Sequence, residues 1–144
     1  MSFKDNLNAL KIRLEQNAAL QNYAGENFGK NFTVKRTYKK RVEINLGLLP
    51  LILITRPSVT RTMENQLISK LHSVNLYVGF LQNDYEKAQD HLIELDEILD
   101  SAIITKTQEP GDLPMKISLG LSDNDEGIYH PSYFMVKEIT IKER

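Results

Sequence analysis

The sequence predicts an α+β fold, a mixed and mainly antiparallel β-sheet with two amphipathic helices packed on one face. Three observations carry this expectation. Val74, Leu76, Val78 and Phe80 alternate with Ser73, Asn75, Tyr77 and Gly79, the period of two of a half-buried strand. Immediately afterwards Tyr85, Ala88, Leu92, Leu95, Leu99 and Ala102 recur at alternating spacings of three and four, which is a helix stripe. Near the N-terminus Phe3, Leu7, Leu10 and Leu14 repeat at four, three and four. A one-sided sheet and one-sided helices each need an apolar surface to cover, so they are expected to cover one another.

Size and composition bound the rest. A chain of 144 residues is expected to form one domain, residues 1–144, burying roughly two-thirds of its unfolded surface. With 18 basic and 19 acidic residues there is no global attraction to nucleic acid or an anionic membrane, so any such role needs a local patch. The absence of cysteine excludes disulfides, thiolate metal sites and cysteine nucleophiles. The opening Met1-Ser2-Phe3-Lys4-Asp5 has no apolar core of a secretory signal, and no run approaches a membrane span, so a soluble cytoplasmic protein is expected.

In chain order, Ser2 with Asp5 forms a short capping box for a first helix over 3–16, which Ala18, Ala19 and Leu20 could extend. Two glycines among polar residues predict a loop over 22–31, and Phe32 with Val34 predicts a short strand. Lys35, Arg36, Lys39, Lys40 and Arg41 then crowd around Tyr38, the strongest charge cluster in the chain. Val42, Ile44 and Leu46 alternate with Glu43 and Asn45, predicting extended chain as far as Gly47.

From Leu48 to Ile54 only Pro50 interrupts an apolar run, the pattern of a strand buried on both faces. Arg56-Pro57-Ser58 is expected to end it, and the polar stretch 59–66 reads as an exposed connection or hairpin arm. Gln82-Asn83-Asp84 separates the long strand from the long helix, with Asn83 as N-cap and Glu86 as its capping-box partner. Two prolines and a glycine predict a loop over 108–114, after which Met115, Ile117, Leu119 and Leu121 alternate as a strand. In the last strand Phe134 and Val136 share one parity and Ile139 and Ile141 the other, which predicts a bulge near Lys137-Glu138.

Chemistry is sparse. His72, His91 and His130 are dispersed, and His91 with Glu94 and Glu97 lacks the second histidine of a metal-binding helix. Asp123, Asp125 and Gly127 open like a calcium loop, but Phe134 stands where the closing glutamate belongs, so a turn is expected. There is no nucleophile elbow and no phosphate-binding glycine motif. The expectation is a protein without catalytic residues, metal or cofactor.

Charge supplies the remaining candidates. On the long helix Asp84, Glu86, Asp90, Glu94, Asp96, Glu97 and Asp100 oppose a single Lys87. This serves either solubility or an interface, because the acidic face and the basic segment from Lys35 to Arg41 are complementary between neighbouring copies. The candidate subunit or tube interface is therefore Lys35, Arg36, Lys39, Lys40 and Arg41 with Glu86, Asp90, Glu94 and Glu97. The basic segment could alternatively meet DNA phosphates without sequence specificity.

The order of these elements resembles the tail terminator proteins of long-tailed phages and related phage-like elements. The resemblance lies in the amphipathic opening helix, the strand introduced by Leu49-Pro50, the long strand and helix from Leu71 to Ile104, and the closing strand from Tyr133 to Ile141. It spans nearly the whole chain and includes no short diagnostic motif. It implies a non-catalytic protein, found in the host cytoplasm during assembly and then in the virion tail. That protein forms a ring, typically hexameric, which caps the tail tube, ends its polymerisation and provides the surface for head-tail joining. The implied partners are further copies of the chain, the tail tube protein and a head-tail connector protein, with non-specific DNA contact open to a basic segment lining the lumen and no membrane. A head-tail connector or tail completion protein, an unrelated ligand-binding α+β module, and a small enzyme assembled from scattered residues are the alternatives.

Overall fold

A computed structural model of the chain describes residues 3–36, 49–65, 67–104, 116–127 and 129–143. The elements are α1 (Phe3–Gln16), α2 (Ala18–Phe28), β1 (Thr33–Arg36), β2 (Leu51–Glu64), β3 (Leu67–Leu81), α3 (Tyr85–Ile104), β4 (Lys116–Asn124) and β5 (Ser132–Glu143). The described strands form one sheet in the order β1-β2-β3-β5-β4. β1 is parallel to β2 and every other neighbouring pair is antiparallel. α1 lies against β1, α3 lies against β4 and β5, and α2 packs on α3. The fold is thus α+β, with the helices on one face of a mixed and mainly antiparallel sheet.

The core lies between these layers. Register places Ile54, Leu76, Lys137 and Ser122 on the helix side in one row, and Ile52, Val78 and Met135 in the next. Leu10, Leu14, Leu20, Leu95, Leu99 and Ile103 descend on them from the helices and are fully enclosed. Leu95 and Leu99 join Val74, Leu76 and Val78 of the β3 stripe in one buried cluster, with Leu92 partly buried against it. Phe80 anchors the aromatic end of this core. It stacks on Phe28 at 5.0 Å and Tyr133 at 5.7 Å and meets the His91 ring edge-on at 5.6 Å.

A second cluster occupies the opposite sheet face, where Leu49, Leu51 and Leu53 pack with Tyr77 and Phe134. Gly79 faces Phe134 across the strands, and a Cβ there would lie 2.7 Å from the Phe134 ring and 3.0 Å from Leu49. The aromatic ring thus fills the space a side chain would need, which explains the glycine in the middle of a central strand.

Several expectations give way. The predicted loop over 22–31 is mostly helix, because Asn17 accepts the Leu20 amide at 2.9 Å and caps a second helix. Leu20, Ala24, Tyr23 and Phe28 make that helix worth forming, and Gly29 closes it at φ 80°. Asp84, not Asn83, caps α3, accepting the Glu86 and Lys87 amides at 2.9 and 3.1 Å. Tyr85 does not belong to the buried stripe; it is exposed and stacks on His130 at 4.1 Å.

Arg56-Pro57-Ser58 does not end β2. The strand shifts register there and runs on to Glu64, forming with β3 the hairpin arm that the polar stretch anticipated. β5 also has no bulge at Lys137-Glu138, since it pairs with β3 without interruption from Ser132 to Glu143. The irregularity lies in β4 between Leu119 and Ser122, leaving Leu121 exposed. Lys137 therefore points into the core. The predicted strand over 42–46, the loop over 108–114 and the Ser2 cap lie outside the described residues.

Candidate assembly surfaces

The acidic helix divides into two groups by geometry. Asp96 and Asp100 turn toward the sheet, where both ion-pair with Lys137; the Asp96 contact is 2.7 Å. Ser122 donates to Asp96 at 2.7 Å and joins the same cluster. The Lys137 side chain is 2% exposed, a placement a lysine reaches only with counter-charges and hydrogen bonds around it. Burial pulls its pKa down, but bonds to Asp100 and Asp96 and their charges outweigh that and hold it above the usual lysine value. Burial likewise pushes Asp96 up, yet the Lys137 and Ser122 bonds and the Lys137 charge leave it below the usual carboxylate value.

With Asp84 serving as the cap, Glu86, Asp90, Glu94 and Glu97 form the exposed group. Glu86, Asp90 and Glu97 share one outward strip with Ile93 and Ile104, since their spacings of four, three, four and seven recur on one helix side. Glu94 lies nearer α2. Burial, followed by the bond and charge of Glu94, raises the Tyr23 hydroxyl well above its usual value. Tyr23 contacts His91 Nδ1 at 2.7 Å, and Gln82 lies 3.0 Å from the other ring nitrogen. Burial lowers the His91 pKa against the opposing pull of Glu94 and Asp90. His91 is thus a buried packing residue, and neither Glu94 nor Glu97 joins it in a ligand set. Among the described residues no group of three or more His, Asp or Glu side chains is placed to hold a metal ion.

Of the basic candidates, Lys35 and Arg36 lie on the other flank. Lys35 and Arg36 end β1, the first strand of the described sheet and in contact with α1, and Arg36 donates to Asn8 of α1. Lys35 is exposed. Lys39, Lys40 and Arg41 lie outside the described residues. The sheet order therefore separates the start of the basic segment, in β1, from α3 over β4 and β5. Lys35 and Arg36 thus sit toward the β1 side of the described sheet, and the α3 strip toward the β4–β5 side.

The hairpin arm, one of the two readings that the polar stretch over 59–66 offers, adds a third surface. From Ser58 and Ser73 outward, β2 and β3 pair as far as Glu64 and Leu67, and Asn65 takes a left-handed φ of 50° at the tip, a conformation asparagine tolerates. Met63, Leu67 and Ile68 are 72%, 76% and 57% exposed. The available signal was Leu67 and Ile68 directly after Asn65-Gln66, an apolar pair following a turn. The calcium-like stretch is a turn, as expected: Asp125 spends both carboxylate oxygens on backbone amides, of Gly127 at 3.0 Å and Phe134 at 3.3 Å.

No protein-family model and no curated protein matches this chain. Among solved structures it is similar to a chain of the virion of a native gene transfer agent (GTA) particle. That match has 9% identity and a TM-score of 0.55, and covers 94% of this chain and 91% of the other. At such identity the likeness establishes a shared fold over nearly the full length. Among the described residues no helix is long and apolar enough to cross a membrane.

Proposed function

We propose that this chain is a structural protein of a phage-like particle, a tail terminator that assembles as a ring on the end of the tail tube. There it ends polymerisation and presents the surface for head-tail joining. The observation that carries the reading is the end-to-end likeness to a virion chain, joined to a sequence pattern resembling tail terminators. The separation of Lys35 and Arg36 from the α3 acidic strip supports it physically. A subunit with complementary charge on opposite flanks can contact its neighbour head-to-tail, and such heterologous contacts close into a ring when the rotation permits. In this reading the protein is not an enzyme and needs no cofactor, and its partners are its own copies, the tail tube and the head-tail connector.

Light scattering coupled to size exclusion gives the mass, and electron microscopy of purified protein mixed with tail tubes shows where it sits. Rings of six subunits capping tube ends are expected. A monomer that also leaves tube ends bare and tube lengths unregulated overturns the proposal.

A further inference from the structure

We propose that the β2–β3 arm of one subunit docks on the outward face of α3 of the next copy, which makes the arm the main grip between ring subunits. The inference rests on the ring reading above and adds the contact that holds it. Beyond Phe3, which stacks on His72 at 3.6 Å, the helix-side face of the arm has no helix among the described residues packed over it. Two cross-strand pairs occupy that face, Met63 with Ile68 and Arg61 with Lys70. Like charges directly opposite one another are unfavourable; Lys70 has Glu143 as its register partner on β5, while among the described residues no strand pairs with Arg61 on the side of β2 away from β3. Beyond Lys70, where the β5 pairing stops, the described arm is two-stranded, and such a ribbon is marginal in water without a surface to pack on. The arm thus presents an exposed apolar pair followed by a basic pair of which Arg61 is exposed and Lys70 half-buried.

The chain carries the complement of this pattern. On α3, Ile93 is 56% exposed between Asp90 and Glu97, and Glu86 lies one further turn toward the N-terminus. Beside Ile93, α3 and the β4–β5 turn enclose an open depression of about 550 Å³ lined by Tyr85, Glu86, Leu92 and Ile93. Leu92 and Ile93, with the carboxylates of Glu86 and Glu126 in the same lining, suit the Met63–Ile68 pair flanked by Arg61 and Lys70. Exposed charge pairs contribute little each, so the apolar residues carry the contact and the charges set its register. The occupant is a second copy because arm and depression are different patches of one chain.

The absence of native cysteine makes a clean test possible. An Ile68→Cys chain and an isotopically labelled Ile93→Cys chain, each confirmed folded by circular dichroism, are mixed and oxidised, with Ile12→Cys on exposed α1 replacing Ile93→Cys as control. The expected result is an oligomer in which disulfides between 68 and 93 exceed those between 68 and 12 at least tenfold. An oligomer without that excess overturns the arm contact and leaves the ring reading standing. A dimer showing the 68–93 link upholds the arm contact and overturns the ring. A monomer without enriched links at any concentration overturns the arm contact, and one that also leaves tail-tube ends bare overturns the ring reading as well.

Discussion

Lys137 occupies a core position on β5 in the row that runs from Ile54 through Leu76 to Ser122, and its two partners differ from it in access to water. The Asp96 and Asp100 side chains are about a third exposed while the lysine is enclosed. Removing the lysine lets the carboxylates hydrate; removing the carboxylates strands an ammonium in the core. Asp96→Asn/Asp100→Asn should therefore cost about 3–5 kcal/mol, whereas Lys137→Met should stay within about 1 kcal/mol of the parent in denaturant unfolding. Equal losses would mean that the lysine escapes to solvent. His91 yields a second expectation at this scale. Its folded pKa lies below the ordinary 6.5, so the unfolded chain binds the proton first as pH falls. The His91 contribution is then complete above about pH 6.5 and declines below it, with a slope of at most about 1.4 kcal/mol per pH unit. Denaturant midpoints from pH 7 to 5 should show this slope in the parent and lose it in His91→Gln.

At the scale of elements, legibility followed period. β3 and α3 were visible because their apolar residues keep one strict spacing and their neighbours across the core do the same. Leu95 touches that shared core and is fully enclosed, so Leu95→Ala should lower stability by about 2–5 kcal/mol in denaturant unfolding; an unchanged midpoint would contradict the packing. β5 was misread because the pattern of apolar residues treats lysine as a surface residue, and only tertiary placement of Asp96 and Asp100 makes it a core one. α2 was missed because Gly25 and several asparagines outweighed its short stripe, while its cap at Asn17 depends on one hydrogen bond. Asn17→Ala should cost about 1 kcal/mol, read as a lower thermal midpoint. Of the candidate interface, the four acidic residues and Lys35 do reach the surface. The continuity of β2 into the arm was not legible because Arg56-Pro57-Ser58 looks like a strand end, whereas a register shift carries β2 through it.

At the scale of the whole molecule, assembly and folding should be linked. If six subunits dissociate as they unfold, a tenfold rise in protein concentration stabilises each subunit by five-sixths of the tenfold factor, about 1.1 kcal/mol. For a chain of 144 residues this raises the thermal midpoint by roughly 3–5 °C. Salt should shrink the increment without abolishing it, since screening reaches exposed charge pairs and leaves the apolar part of the contact. Reversing Lys39, Lys40 and Arg41 to glutamate should act more strongly than salt, because like charges then confront Asp90 and Glu97 if the basic segment shares the α3 strip, and lose a phosphate-attracting face if it lines a lumen. The two cases separate by measurement. Loss of the concentration-dependent midpoint in the triple variant assigns the segment to the subunit contact. A retained midpoint with weaker retention on a DNA column assigns it to the lumen. A parent protein whose midpoint is the same from about 1 to 100 μM, with a monomer mass throughout, shows that subunit association contributes nothing to the stability of this fold in solution.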